Sequence, residues 1–239
     1  MSEPDRKVAI VTGGSRGIGA GIVAGYRAQG WAVVANARTI TPSDDPALLP
    51  VAGDISDPAT ADRIVTQALD RFGRIDTLVN NAGVFVAKPF IEYTADDYAL
   101  AAGVNLAGAF WLTQRVVAPM LDRHGGHIVN IAATIAEVAD SHAPAALAAL
   151  TKGGLAALTR SLAIEYAGRG IRVNAVSPGM IQTSTRPPQS RPDGTGEQLP
   201  PIGHPGRVGD VVGGVLFLEA SPHVTGEILH IDGGTSAGH

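Results

Sequence analysis

The chain has 239 residues, 45% of them hydrophobic, an ordinary size for one α/β domain with a large buried core. A formal net charge of -4, with charged residues at 17%, leaves no basic surplus for nucleic acid, and there is no like-charge run to act as an acidic tail or a polybasic membrane patch. Cysteine is absent, which excludes disulfides, thiolate metal sites and a cysteine nucleophile and fits a reducing, cytoplasmic setting.

Residues 1–7 are polar and charged, and only residues 8–12 form an apolar run before a glycine-rich turn, so no signal peptide is expected. No stretch approaches the roughly eighteen apolar residues of a membrane span.

Short apolar runs alternate with helical patterns along the chain. Residues 7–12 read as a buried strand, followed by a glycine turn over 13–19. Ile18, Ile22, Val23 and Tyr26 then recur at helical spacing until Gly30. Residues 31–37 and 49–52 read as further strands. Asp57 and Pro58 give an N-cap with proline at the first helical position, opening a helix to about Phe72. Residues 77–80 form the fourth strand.

Thr94 and Asp97 resemble a capping box that opens one long helix running to about His124. Strands over 127–131, 172–177 and 227–231 follow, with helices over about 145–167 and 209–218 between them. Continuous apolar strands alternating with helices predict an α/β fold: a single-domain, Rossmann-type doubly wound parallel sheet of about seven strands, helices on both faces, spanning 1–239. Residues 181–206 are rich in proline and glycine with weak periodicity and read as a substrate-binding loop or lid.

The strongest local motif is Thr12-Gly13-Gly14-Ser15-Arg16-Gly17-Ile18-Gly19, between a strand and a helix. Glycine lets the backbone approach a pyrophosphate, and the helix N-terminus supplies free N–H groups and a positive dipole end. NAD-binding folds of this kind use a carboxylate at the end of the second strand for the ribose 2′-hydroxyl. Here Ala37 stands there and Arg38 follows. Arg16 lies in the glycine turn, and two forked cations suit a 2′-phosphate, so NADP(H) is the expected cofactor.

These residues resemble the short-chain dehydrogenase/reductase family over nearly the whole chain. The family's motifs occur in order: the glycine turn, Asp54-Ile55, Asn80-Asn81-Ala82-Gly83, Asn105, Val129-Asn130-Ile131, Lys152, the run from Asn174 to Gly179 and Asp232-Gly233-Gly234. The resemblance implies that Asp54 accepts from the adenine amino group, that the Ile55 amide faces the ring, and that Asn81, Ala82 and Gly83 line the cofactor path. It further implies that Lys152 grips the nicotinamide ribose, that Pro178, Gly179, Ile181 and Thr183 hold the nicotinamide, and that Asn105 anchors a water-linked proton path to Lys152. Read without the resemblance, Asp54 and Asn80 could cap strand ends, and Asn105 could hydrogen-bond inside a distorted helix.

Two departures follow. Only residues 38–48 join the second and third strands, leaving no room for the usual helix. The family's catalytic core is a serine and a Tyr-xxx-Lys pair whose members face the same way on a helix. The ammonium lowers the phenol pKa so that it exchanges a proton near neutrality. Four residues before Lys152 stands Ala148, and the stretch after Ile131 reads Ala132-Ala133-Thr134. Ala133 and Ala148 therefore mark vacated positions. Thr134, Ser141 or His142 could supply a relocated hydroxyl or proton donor.

The implied function is an NADP(H)-dependent oxidoreductase that transfers hydride to a small carbonyl, imine or quinone-like substrate, with Lys152, Asn105 and Thr134 as catalytic candidates. The alternative is an NADPH-holding module that acts through binding. Arg186, Arg191 and His204 could meet an anionic substrate or be solvated charges. No metal is expected, since the histidines lack ligand-like spacing. Ala145, Ala149, Ala156 and Ala157 would permit close packing of helices between subunits, and the resemblance implies a homo-oligomer, a dimer or a tetramer.

Overall fold

The computed structural model describes residues 6–140, 143–183 and 199–238. Strand β1, Val8–Thr12, is buried along its whole length, and its side chains split between two cores. Val8 and Ile10 join one cluster, with Ile64, Leu112, Val116 and Ile128. Ala9 and Val11 join another, with Ile22, Tyr26, Val211 and Leu218. Alternate residues of a strand point to opposite faces, so an unbroken apolar run fills both faces only when helices cover both.

That arrangement is realised. A seven-stranded sheet runs in the order β3-β2-β1-β4-β5-β6-β9, with every pair parallel. Its members are β1, β2 (Ala32–Ala37), β3 (Leu48–Ala52), β4 (Thr77–Asn80), β5 (Gly126–Ile131), β6 (Ile171–Pro178) and β9 (Ile228–Ile231). Helices α2 (Pro58–Phe72), α4 (Gly108–Asp122) and α5 (Ala146–Tyr166) cover one face, while α1 (Gly17–Ala28) and α6 (Val208–Glu219) cover the other. The chain is a single doubly wound Rossmann-type α/β domain.

The local signals act as expected at several termini. Asp57 accepts from the Ala59 N–H at 2.9 Å ahead of Pro58, and Gly73, with φ 72°, ends α2. The capping box before α3 (Ala95–Ala101) closes in both directions: Asp97 N–H donates to Thr94 Oγ1 at 3.1 Å, and Thr94 N–H donates to Asp97 Oδ2 at 2.8 Å.

The single long helix expected after that cap is instead three segments. A π-helical stretch, Ala102–Ala107, separates α3 from α4. A π turn takes in an extra residue and re-aims the side chains around it. Here it brings Asn105 inward, almost fully buried.

The connection from β2 to β3 carries no helix, as its length predicts. Ile40 packs onto the α1 face of the core, and Asp45 pairs with Arg27 at 2.8 Å while accepting from the Ala47 N–H at 2.9 Å. These contacts hold β3 in parallel register with β2 without a covering helix. The segment Ile181–Gln182 (β7) pairs with Gly206–Arg207 (β8) in a short ladder apart from the main sheet. It brackets the expected lid, most of which lies outside the described residues.

Candidate active site

In an open parallel sheet, ligands bind beyond the carboxyl ends of the strands where the strand order reverses. That point lies between β1 and β4, and the structure ties the two loops together there. The Thr12 hydroxyl oxygen accepts from the Asn81 N–H at 3.0 Å and the Ala82 N–H at 2.9 Å, and Asn81 Nδ2 donates to the Thr12 carbonyl at 2.8 Å. Thr12 was no more than a motif letter in the sequence; its anchoring role needs β4 beside it.

Two adjoining cavities open at this junction, of about 440 Å³ and about 720 Å³, and Ile18, Asn81, Gly83, Val84 and Thr183 border both. The smaller is walled by the glycine turn: Gly13, Ser15, Arg16, Gly17 and Gly19. Gly13 has φ +65°, and a side chain on it would press on Asn81. A Cβ on Gly19 would overlap the Gly13 carbonyl oxygen. Both positions thus require glycine, one for conformation and one for close approach.

Helix α1 begins with Arg16 at its N-cap, with no side chain capping it and no acid in its first turn, so its positive end faces the cavity unneutralised by the protein. Arg38 and Asp54 line the same cavity, with Ile55 and Ala82. Asp54 Oδ1 accepts from the Ser56 N–H at 3.0 Å and the Ser56 hydroxyl at 2.7 Å. These bonds hold its carboxyl below the ordinary range, and the nearby Arg38 charge adds to the effect.

The larger cavity brings together Lys152, Thr134, Pro178, Gly179 and Ile181. Ala133 and Ala148 are on its wall. Asp140, Met180, Leu199 and Thr235 border it too. His204 is exposed and is not part of either lining. Ser141, His142, Arg186 and Arg191 lie outside the described residues.

Thr134 is buried, and its hydroxyl donates to Asp232 Oδ2 at 3.3 Å. Asp232 also accepts from the N–H groups of Gly234 at 3.0 Å and Ser236 at 2.9 Å. Burial pushes this carboxyl up, but the hydrogen bonds from Ser236, Gly234 and Thr134 outweigh it and leave it below the usual range. Asp232 appeared in the sequence only as part of a motif, with no role.

Asn105 does not bond Lys152 directly. Its Oδ1 accepts from the Val84 N–H at 2.8 Å, and its Nδ2 donates to the Val84 carbonyl at 3.1 Å and to Thr151 Oγ1 at 3.0 Å. It therefore pins the cavity-lining loop after β4 to helix α5. The reading of Asn105 as a hydrogen-bonding residue in a distorted helix describes these contacts.

Lys152 Nζ donates to the Ile131 carbonyl at 2.7 Å. The surrounding protein strips water from the ammonium and lowers its pKa to about 8. Helix α5 also corrects the expected subunit contact: Ala145 and Ala156 are buried within the chain. Ala149 is half-buried and Ala157 is exposed, and the large apolar residues on the outer face of the helix are Leu150 and Ile164. No helix among the described residues is long and apolar enough to cross a membrane.

A family model described as enoyl-(acyl carrier protein) reductase matches residues 13–236. The chain is 34% identical to the 3beta-hydroxysteroid dehydrogenase 1 of Eggerthella lenta, over 95% of this chain and 93% of that one. Among solved structures it resembles a blue fluorescent protein from a metagenomic library in complex with NADPH (TM-score 0.86, 36% identity, 96% of this chain and 98% of that one). It also resembles the 3-ketoacyl-(acyl-carrier-protein) reductase of Brucella melitensis complexed with NADH (TM-score 0.86, 30% identity, 98% and 99%). A glycine turn at the switch point, a lysine-bearing helix beside it and likeness over the full length agree: the chain belongs to the short-chain dehydrogenase/reductase family of oxidoreductases.

Proposed function

We propose that the protein is an NADP(H)-dependent reductase or dehydrogenase that exchanges hydride with a small carbonyl, imine or quinone-like substrate, and that its proton donor is not the family's tyrosine. The observation that carries this reading is the pair of adjoining cavities, the smaller walled by the glycine turn and the larger by Lys152, with five lining residues in common.

The smaller cavity fits an adenine dinucleotide phosphate. The uncapped end of α1 and the close-packed Gly13 and Gly19 suit a pyrophosphate, since the N–H groups and the dipole act together on an anion. Arg16 and Arg38 border the place where a 2′-phosphate would need cations, and Asp54 and Ile55 border the adenine side. Asn81, Ala82 and Gly83 would guide the cofactor between the cavities, and Pro178, Gly179, Ile181 and Thr183 would hold the nicotinamide end. When bound, the nicotinamide supplies or takes up the hydride. Lys152 would hold the ribose, Asn105 would keep the Val84 loop in place, and Thr134 would border the reacting oxygen.

Because Ala133 and Ala148 offer no hydroxyl, substrates already polarised toward hydride acceptance are favoured; losing one general acid costs roughly 10²- to 10⁴-fold in rate. Positioning alone still supplies about 7–11 kcal/mol. The two alanines also support a second reading, a module that binds NADPH without chemistry. Calorimetric titration with NADPH and NADH, followed by stopped-flow oxidation of bound NADPH against carbonyls, imines and quinones, separates them. Tight NADPH uptake without any single-turnover oxidation favours the module. No uptake of either dinucleotide removes both readings.

Residues 181–206 would cover the substrate; their described end, at Leu199 and Pro200, reaches the larger cavity. The outer faces of α4 and α5 expose Phe110, Leu150 and Ile164 and would serve a homodimer or homotetramer. Gel filtration showing a monomer at micromolar concentration would refute the assembly.

A further inference from the structure

We propose that Lys152 is itself the acid of this site, its Nζ delivering the proton to the oxygen formed when a substrate carbonyl is reduced. The inference rests on the NADP(H)-dependent reading above and assigns the donor that reading leaves open.

Among the described residues, Thr134, Thr183 and Thr235 bring hydroxyls to the larger cavity. Ala133 and Ala148 have none. The Thr134 hydroxyl is spent on Asp232 Oδ2 at 3.3 Å, and the Thr235 hydroxyl donates to the Asp232 carbonyl at 2.8 Å. An aliphatic alcohol holds its proton too tightly to be a good proton source near neutrality. The Asn81 amide, which donates to the Thr12 carbonyl, is no acid. Among the described lining residues Lys152 and Asp140 are the ionisable groups, and a carboxylate accepts hydrogen bonds where an ammonium donates them.

Helix geometry then places Lys152 correctly. Ala148 and Lys152 are four residues apart on α5, share one face, and both border the cavity. A substrate oxygen seated beside the Ala148 methyl shares the cavity with the Lys152 side chain, whose position on α5 is one helical turn further on. The ammonium carries three N–H donors, and among the described residues its acceptor is the Ile131 carbonyl at 2.7 Å.

The groups packed around it carry little charge. The loop after β4 presents Asn81, Gly83 and Val84, the π segment presents Asn105, and the stretch after β6 presents Pro178 and Gly179. Asp140 borders the same cavity, and Asp232 sits behind Thr134. Burial brings the ammonium's pKa to about 8, where a group is still protonated at neutrality and gives its proton up readily.

The carbonyl carbon accepts a hydride from the reduced nicotinamide, the C=O π pair moves to oxygen, and that oxygen takes one proton from Nζ. The neutral amine regains a proton from water. In sum, NADPH, a carbonyl and one proton become NADP⁺ and an alcohol.

Two measurements test this. In the apoprotein, competitive acylation with acetic anhydride read by mass spectrometry should give Lys152 a reactivity midpoint near 8, below the ordinary lysine value. A Lys152 midpoint at the ordinary lysine value overturns the proposal. In stopped flow at saturating NADPH, trifluoroacetophenone needs hydride and a proton, whereas N-methyl-dihydroisoquinolinium needs hydride alone. The ketone rate should fall as pH rises through about 8, with the iminium rate flat.

Lys152→Met should lose roughly 10²- to 10⁴-fold more on the ketone than on the iminium. Lys152→Arg, which keeps the charge but holds its proton far more tightly, should show the same selective loss if the methionine variant fails to fold. Equal losses on both probes, or a flat ketone profile, would reduce Lys152 to a cofactor-holding residue and leave the proposed function standing. NADPH oxidised by neither probe would remove the function and the inference together.

Discussion

His127 Nδ1 lies 2.9 Å from Glu219 Oε2 at the end of the sheet opposite the cavities, and the same oxygen accepts from Tyr26 Oη at 3.0 Å and Thr77 Oγ1 at 2.9 Å. Asn174 Nδ2 approaches His127 Nε2 at 3.1 Å, which fixes a neutral ring with its proton on Nδ1. Burial lowers the His127 pKa against the pull of Glu219. Burial raises the Glu219 carboxyl, but the bonds from His127, Thr77 and Tyr26 bring it below its ordinary value. Both folded pKa values sit below their unfolded ones, so the stability they contribute is present above pH 6.5 and is lost as pH falls, first through His127 and then through Glu219. The urea midpoint should drop between pH 7 and pH 5, and His127→Gln should flatten that drop in its upper part.

Removing the acceptor at any pH is a separate matter. Glu219→Ala should destabilise the fold by at least about 3 kcal/mol, because Tyr26, Thr77 and His127 each lose a buried partner. Urea unfolding at pH 7.5 checks it.

On the proposed NADP(H) reading, Arg16→Ala and Arg38→Ala should each weaken NADPH binding roughly 10- to 100-fold while leaving NADH binding unchanged, since both border the place proposed for the extra phosphate. Raising the salt concentration should weaken NADPH more than NADH. Parallel calorimetric titrations of the two dinucleotides show both effects, and equal losses for NADH would place the arginines elsewhere in recognition.

Gly19→Ala should cost roughly 1–3 kcal/mol, because the new methyl overlaps the Gly13 carbonyl and forces the turn apart. Gly213→Ala, in the exposed middle of α6 with nothing within 4 Å of the added carbon, should instead stabilise by about 0.5–1 kcal/mol. Urea midpoints moving in opposite directions would separate close packing from helix propensity.

Asn105→Ala should cost roughly 1–3 kcal/mol, since both backbone groups of Val84 lose their partner. Thr151→Val removes one end of the chain and should cost less. A loosened Val84 loop should also weaken cofactor affinity, read by NADPH titration of the folded variants.

Much of the architecture could be read from local pattern. Apolar runs buried on both faces, Asp57 ahead of Pro58, and the Thr94–Asp97 box are properties of a few neighbouring residues. For the π segment over Ala102–Ala107 the sequence offered only a distorted helix around Asn105 as one reading; the Val84 backbone that Asn105 bonds lies 21 residues away in the chain, so the segment's place and extent were not legible. The splitting of the alanines at and after the start of α5 into buried Ala145 and Ala156 and less buried Ala149 and Ala157 likewise required the sheet to be in place.

The candidate site divides the same way. The glycine turn, Arg16, Arg38 and the alanines at 133 and 148 stand in the chain as written, and with them the dinucleotide reading and the lack of a hydroxyl at those two positions. What the tertiary structure alone decided is the chemistry of the groups that remain. Thr134 is engaged because Asp232, far along the chain, comes to meet it, and Lys152 is a weaker base than an exposed lysine because strands and loops from several elements exclude water from it. Proton affinity and hydrogen-bond commitment depend on solvent and partners that only folding assembles, whereas hydrophobic period and turn chemistry act between neighbours in sequence.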